Sequence, residues 1–255
     1  MKPSFLRLET PFPAGMMEQP TVEALLGAMR MAEHAGAKAF AINFAALGPD
    51  GWSREAMRRI FSFTPRPCMP YTYRGHHLSG APDEKRAELQ LQAAEEGAAG
   101  SDLMGDLFDP SPRELTLKPE AIRRQMRLID ELHQRGSEVL LSSHMNEALS
   151  AEEIVEHLRR MEDRGADIAK IVTLADAEEQ FLEALRATVL AKRTLKVPFV
   201  QLCNGRFARL QRYVGPVLGS MLTFTVPVYD ENHLGNQPLT EAASRTLHEL
   251  LWHRG

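Results

Sequence analysis

Hydrophobic and polar positions follow two periods along the chain. Short runs rich in apolar and β-branched residues are typical of strands, and longer runs with apolar residues every three or four positions are typical of amphipathic helices. Eight segments predict strands: 5–9, 39–45, 69–74, 102–108, 138–144, 168–174, 199–204 and 221–226. Seven segments predict helices, with a weaker eighth candidate at 207–214: 21–35, 53–61, 84–98, 118–135, 151–164, 177–193 and 240–253.

The helix predicted at 151–164 carries signals at both ends. Ser150 precedes it as a candidate N-cap, and Glu153 follows three residues later, which is the spacing of a capping box. Gly165 comes directly after the helix and predicts its end.

The alternation of strands and helices predicts the fold class. Strand and helix pairs that repeat about every 30 residues favour a parallel (β/α)₈ TIM barrel over an open doubly wound sheet. The main rival is a Rossmann or flavodoxin-like sheet, but no GxGxxG or GxxxxGK turn follows any predicted strand. Without a linker or repeat, residues 1–255 are expected to form a single α/β domain.

Composition narrows the classes of partner. The 255 residues are 44% hydrophobic with a net charge of −4, and lysine and arginine are spread along the chain. This distribution gives no basic face for nucleic acid. No apolar run approaches the roughly 18 residues of a membrane span, and the first residues lack signal-peptide features. We therefore expect a cytoplasmic protein without a membrane partner.

Polar residues collect where the predicted strands end. In a TIM barrel the active site is built at the carboxyl ends of the strands and in the loops that follow. As a set, the polar residues there indicate a site that binds a small molecule: Asn43, Arg74, Asp106, Ser142, Ser143, His144, Lys170 and Asn204.

Lys170 is the most unusual member of this set because it lies in the middle of an apolar strand. Ile168, Lys170 and Val172 share one face, and we expect that face to point into the barrel. Two interpretations are open. The lysine could extend to the rim or pair with a carboxylate such as Asp106. Alternatively, desolvation helped by nearby Arg74 lowers its pKa and leaves a neutral amine that attacks a carbonyl.

The second interpretation requires a proton acceptor beside the amine, since an imine acidifies the adjacent carbon. His144 ends the preceding predicted strand, which is the neighbouring strand in a barrel. Imidazole, with an unperturbed pKa of about 6.5, suits general acid and base catalysis. Lys170 and His144 are therefore the candidate catalytic pair.

The residues around this pair resemble the type I 3-dehydroquinate dehydratase family. The segment SSHMNEALSAEEIVEHLRRMEDRGADIAKIVTLA is similar to the family segment with the catalytic His and Schiff-base Lys, which fall on His144 and Lys170. PYTYR resembles the segment ending in an active-site Arg, here Arg74. NGRFARLQRYVGPVLGSMLTF resembles the motif whose Arg binds the substrate carboxylate, here Arg212, and GNQP resembles the lid loop, giving Gln237.

The second strand departs from the family pattern. Where the family reads Glu-x-Arg-x-Asp, this chain has Ala41, Asn43 and Ala45. Asn43 is expected to hydrogen-bond one substrate hydroxyl, and Asp106 to restore a carboxylate that orients His144 or pairs with Arg74. The lid position that is usually Ser falls near His233.

The resemblance implies a hydro-lyase of the shikimate pathway that acts on 3-dehydroquinate or a related carboxylated β-hydroxyketone through a Schiff base on Lys170. The resemblance also implies a homodimer, and the implied reaction requires neither a metal nor an organic cofactor. Two alternatives stay open. One is an inactive barrel paralogue with a binding role, and the other is a metal-dependent barrel enzyme that uses His76, His77, His144 or His233.

Overall fold

Eight parallel strands form one sheet that curves into a nearly closed barrel. The computed structural model describes residues 2–229 and 235–251. The strand order is β7-β6-β5-β4-β3-β2-β1-β8, and the Met221 amide donates to the Phe199 carbonyl at 2.8 Å where β8 begins beside β7. The strands are β1 Phe12–Met17, β2 Ala39–Asn43, β3 Cys68–Tyr71, β4 Gly100–Met104, β5 Glu138–His144, β6 Ile168–Leu174, β7 Phe199–Asn204 and β8 Leu222–Thr225. The predicted TIM barrel is confirmed.

Each strand leads to a helix packed on the outside of the barrel. The helices are α1 Val22–His34, α2 Phe44–Leu47, α3 Arg54–Phe61, α4 Asp83–Glu95, α5 Pro119–Gln134, α6 Ala151–Glu162, α7 Glu178–Thr194, α8 Ala208–Leu218 and α9 Thr240–Leu251, with short 3₁₀ turns at Pro49–Trp52 and His76–Leu78. Within residues 2–229 and 235–251, none of these helices has the length and apolar character needed to cross a bilayer.

Helix α6 begins at the predicted residue 151 and ends at Glu162, two residues before the predicted end. The Ser150 hydroxyl accepts from the Glu153 amide, and the Glu153 carboxylate accepts from the Ser150 amide at 3.0 Å, which completes the capping box. Gly165 follows the helix with φ of 90°, a conformation that costs little only for glycine. The end of α6 determines where β6 begins and therefore where Lys170 lies along that strand.

Apolar side chains of alternating residues fill the barrel interior. They include Ala14, Ala41, Leu140, Ile168, Val172, Val200 and Leu222. The intervening residues face outward; Leu141, Ala169 and Ile171, for example, belong to a separate cluster with helices α5 and α6. Burying a Leu or Ile side chain contributes about 1.5–3 kcal/mol. This alternation holds Lys170 on the inner face with Ile168 and Val172.

The first strand differs from the prediction. We expected it at 5–9, but β1 is Phe12–Met17, and Phe5 instead lies fully buried in the interior cluster. The prolines of this segment hid the strand, because proline cannot donate to a ladder. Pro13 stands near the start of β1, where its carbonyl accepts from Lys38 at 2.9 Å and its missing amide is tolerated.

Candidate functional site

Lys170 lies in the middle of β6 with its side chain inside the barrel. The residue is 5% exposed. Its Nζ donates to the Tyr73 hydroxyl at 2.8 Å and to Asp102 Oδ2 at 3.1 Å. The Phe224 ring centroid lies 5.0 Å from Nζ. A carboxylate, a hydroxyl and an aromatic ring therefore surround the amine in a site largely closed to water.

The carboxylate beside Lys170 is not the one that the sequence indicated. Strand β4 ends at Met104, so Asp106 lies beyond it and pairs with Arg74, one of the two partners expected for it, with 2.7 Å between Oδ1 and Nη1. Arg74 also reaches Asp83 Oδ2 at 2.8 Å through Nη2. Burial raises the pKa of Asp106, and the hydrogen bond from Arg74 opposes that shift. The carboxylates of Asp83 and Asp106 therefore compensate the charge of Arg74. We had expected this charge to lower the pKa of Lys170, and the pairing argues against that role.

Asp102 is held by two hydroxyl groups besides Lys170. Ser142, which pairs with Lys170 in the β5–β6 register, donates to Oδ1 at 2.6 Å. The Tyr73 hydroxyl donates to Oδ2 at 2.7 Å. Burial and the negative charge of Asp102 raise the pKa of Tyr73 well above its ordinary value, so Tyr73 stays a donor at neutral pH. The buried carboxylate, which is 1% exposed, is thus fully hydrogen-bonded.

His144 ends β5, the strand that pairs with β6. The imidazole packs edge-on against Tyr73, with 4.8 Å between ring centroids. Its Nδ1 lies 2.7 Å from Glu114 Oε2, and the same oxygen accepts from the His144 amide. Among the described residues no hydrogen-bond partner engages Nε2, so this nitrogen is available for proton transfer.

Glu114 occupies a strained position in the loop between β4 and α5. Its φ of 46° lies in the left-handed region, which is costly for a residue with a Cβ. The Ser143 hydroxyl donates to its carbonyl at 2.7 Å and itself lies 2.8 Å from His157 Nε2. Burial lowers the pKa of His157 to about 4, so this histidine is neutral at pH 7. The surrounding hydrogen bonds hold the loop in the conformation that presents Glu114 to His144.

Replacing Glu114 by glutamine tests this positioning role. We expect kcat to fall roughly 100-fold, because losing the carboxylate that orients a catalytic imidazole is costly in comparable sites. KM is expected to change less than about twofold, because the substrate does not contact Glu114 in this account. Steady-state kinetics measure both, with Glu120→Gln on exposed α5 surface as the matched control. Equal changes in the two variants would contradict the role.

Arg212 on α8 is a buried cation without an acidic partner among the described residues. The residue is 3% exposed, its Nη2 donates to the Cys203 carbonyl at 3.3 Å, and its Nε has no hydrogen-bond partner. Burial lowers its pKa to about 10, so the guanidinium remains charged at neutral pH. A buried charge of this kind requires a counterion, which a bound carboxylate can supply bidentately.

The other predicted binding residues lie around the mouth of the barrel. Asn43 ends β2, and its Oδ1 accepts from the Ala46 amide at 3.1 Å as the N-cap of α2. Gln237 Nε2 lies 3.4 Å from Met16 Sδ at the end of β1. Asn236 donates to Asn204 Oδ1 at 2.7 Å. His233 lies outside the described residues.

Two of the histidines proposed for a metal site, His76 and His144, are engaged elsewhere. His76 Nε2 lies 3.0 Å from Glu18 Oε1, and His144 pairs with Glu114. In the part of the chain that the structure describes, no group of three or more His, Cys, Asp or Glu residues is arranged to hold a metal ion. The described residues therefore give no support to the metal-dependent alternative.

Sequence reasoning missed Tyr73, Asp102 and Glu114 of the site. Asp102 could have been predicted, because in the predicted strand 102–108 it lies on the same face as Asp106. The choice between the two carboxylates depended only on where the strand ends. Glu114 could not have been predicted, because it lies in an irregular loop and no sequence periodicity describes the path of a loop.

A model of the type I 3-dehydroquinase family matches residues 18–248 of the chain. A stretch of 99 residues is 33% identical to the 3-dehydroquinate dehydratase of Alkaliphilus oremlandii and covers 38% of this chain and 39% of that protein. A stretch of the same length is 36% identical to the 3-dehydroquinate dehydratase of Neisseria gonorrhoeae, with the same coverage of both. The chain thus aligns with well under half the length of these curated relatives.

Among solved structures, the fold is similar to that of a type I 3-dehydroquinate dehydratase from Clostridium difficile with covalently modified comenic acid. The TM-score is 0.79 at 18% sequence identity, and the match covers 95% of this chain and 93% of that one. At this level of identity the similarity shows the fold, which agrees with the barrel described above.

Proposed function

The chain belongs to the type I 3-dehydroquinase family, and from that premise we propose that it is a Schiff-base-forming hydro-lyase. Its substrate is a carboxylated β-hydroxyketone, either 3-dehydroquinate or a close relative. The observation that carries the proposal is the position of the Lys170 amine inside the barrel, with His144 on the inner face of the adjacent strand.

Lys170 and His144 would divide the reaction between them. Nζ adds to the ketone carbon, and loss of water gives the imine, while Asp102 at 3.1 Å accepts a proton from the amine. His144 Nε2 then removes a proton from the adjacent carbon to give an enamine. The enamine electron pair expels the β-hydroxyl, which leaves as water with the proton from His144. A further water hydrolyses the imine and regenerates Lys170.

Glu114 would support the imidazole during these transfers. A carboxylate on Nδ1 fixes the tautomer that has its lone pair on Nε2 and stabilises the imidazolium that forms. The inactive-paralogue alternative is not favoured, because the family model spans residues 18–248 and the chain keeps the candidate catalytic pair Lys170 and His144. The family resemblance further implies a cytoplasmic homodimer, which stays a prediction.

Replacement of Arg212 by methionine tests the carboxylate anchor. We expect kcat/KM to fall at least roughly 30-fold, because truncating one partner of a buried charge pair costs about 2–5 kcal/mol. The melting temperature should stay the same or rise, because the unliganded protein loses a buried charge that has no acidic partner among the described residues. Arg193→Met on exposed α7 is the control. A lower melting temperature with unchanged kinetics would assign Arg212 a structural role.

Turnover itself can be followed directly. Dehydration of 3-dehydroquinate creates a conjugated enone, whose ultraviolet absorbance rises as product forms. We expect this signal with 3-dehydroquinate or with a member of a panel of carboxylated cyclic and short-chain hydroxyketones. Absence of elimination from every compound, in protein shown to be folded, would reject the proposed function.

A further inference from the structure

The wall of the barrel formed by β1, β2 and β3 carries polar side chains that the mechanism above does not use. Asn43 pairs with Tyr71 in the register of β2 and β3, and Ile42 pairs with Met17 in that of β2 and β1. Glu18, the residue after Met17, therefore comes level with Asn43 and Tyr71. Because alternate residues face inward, all three side chains point to the same side. By strand order, β2 lies across the barrel from β6 and Lys170.

The Tyr71 hydroxyl is the unexplained member of this row. Tyr71 is 2% exposed, and among the described residues its hydroxyl oxygen has no hydrogen bond of normal geometry. Burial, followed by the negative charges of Glu18 and Asp102, raises the pKa of Tyr71 well above its ordinary value. The group is therefore an unsatisfied donor, and an unsatisfied buried donor is costly unless a ligand completes it.

Glu18 is held in place from the neighbouring loop. Its side chain is 27% exposed, and Oε1 lies 3.0 Å from His76 Nε2. His76 has a φ of 45°, in the left-handed region, at the start of the turn after β3. The next residue, His77, packs on Gly48, where an added Cβ would lie 2.9 Å from the His77 ring and where φ is 73°. The loops after β2 and β3 therefore pack against each other, and this packing holds the His76 imidazole against Glu18.

The donors and acceptors of this row define what can bind there. Glu18 offers a carboxylate acceptor and Tyr71 an O–H donor. Asn43 has its Oδ1 engaged by the Ala46 amide, and its side-chain amino group faces the Tyr71 oxygen, a contact that opposes the effect of burial on the pKa of Tyr71. A hydroxyl both donates and accepts and can pair with Glu18 and Tyr71, whereas an ammonium only donates and would leave the Tyr71 O–H without an acceptor.

We propose that Glu18, Asn43 and Tyr71 form a binding subsite for a vicinal diol, which replaces the charged second-strand residues that this chain lacks. The position of the diol on a carboxylated substrate rests on the proposed function. A substrate whose carboxylate binds Arg212 and whose ketone meets Lys170 would turn its hydroxyls toward this wall. Specificity for hydroxylated substrates is then kept, with Glu18 after β1 and Tyr71 of β3 joining Asn43 of β2.

Calorimetric titration with quinate tests the subsite. Quinate carries a carboxylate and ring hydroxyls but no ketone, so its binding does not depend on Schiff-base chemistry. We expect Glu18→Ala and Tyr71→Phe each to weaken binding roughly 10- to 100-fold, as for the loss of one buried hydrogen-bonding group. Glu9→Ala, on exposed chain before β1, should bind quinate like the unchanged protein.

The outcomes separate this inference from the proposed function. Tyr71→Phe should also raise the melting temperature, because it removes an unsatisfied hydroxyl, so weaker binding by this variant cannot come from unfolding. Unchanged affinity in both variants, or no quinate binding by the unchanged protein, would overturn the subsite. Weakened binding in a protein that forms no product from any hydroxyketone would keep the subsite and reject the dehydratase.

Discussion

Replacement of Lys170 by methionine is expected to lower kcat by at least roughly four orders of magnitude, the scale on which enzymes lose activity when a covalent nucleophile is removed. Methionine preserves most of the volume of the lysine side chain but has no amine to add to the ketone. Steady-state kinetics with the best substrate of the panel measure the loss. Lys38→Met, at an exposed position just before β2, should leave kcat unchanged.

Stability must be separated from chemistry in this variant. Without Lys170, Asp102 stays buried with no cation beside it, and breaking a buried pair in this way costs about 3–5 kcal/mol. The double variant Lys170→Met, Asp102→Asn removes both charges and should recover most of the lost stability in thermal unfolding. Near-normal turnover by either folded variant would show that Lys170 is not the nucleophile.

Replacement of His144 by alanine is expected to lower kcat by about 10²–10⁴-fold, the usual contribution of a general acid and base. The variant should still form the imine, because Lys170, Asp102 and Tyr73 are unchanged. Rapid-quench experiments with borohydride should therefore trap more adduct in His144→Ala at steady state than in the unchanged protein.

The control for this result is His34→Ala at the exposed end of α1, which should behave like the unchanged protein. If His144→Ala failed to form the adduct while remaining folded, the imidazole would be needed for imine formation itself. If it retained its full rate, another group would be the base. Either outcome would contradict the assignment of proton abstraction to His144.

The barrel and the position of Lys170 could be predicted because both follow from periodicity. Alternating residues of β6 set which face Ile168, Lys170 and Val172 share, and the Ser150 and Gly165 signals mark where α6 begins and ends. The order of strands in a barrel follows the order in sequence, so His144 on β5 had to be a neighbour of Lys170. These inferences needed no knowledge of side-chain contacts.

The partners of the catalytic pair could not be predicted, because they depend on strand ends and loop paths. The sequence offered Asp106 as a carboxylate for Lys170, His144 or Arg74 and did not indicate Asp102. Strand β4 ends at Met104, so Asp106 pairs with Arg74 and Asp102 is the carboxylate beside Lys170. Glu114 contacts His144 because its own backbone adopts a left-handed conformation, in which its carbonyl accepts a hydrogen bond from Ser143. Glu18 lies just past β1, a strand that its prolines concealed.

These findings also change the interpretation of the altered second strand. Ala41, Asn43 and Ala45 stand where the family has charged residues, and of these only Asn43 was expected to hydrogen-bond a substrate hydroxyl. In the structure, Glu18 and Tyr71 lie on either side of that strand and face the same interior. In the proposed subsite, Glu18 and Tyr71 supply hydrogen-bonding groups beside the altered second-strand positions.

The most direct test of the central claim is borohydride reduction of the protein during turnover, followed by intact mass measurement and peptide mapping. The account predicts one reduced substrate adduct per chain, located on Lys170 and absent when borohydride or substrate is omitted. Rapid product formation with no adduct, or an adduct on any other lysine, would contradict it.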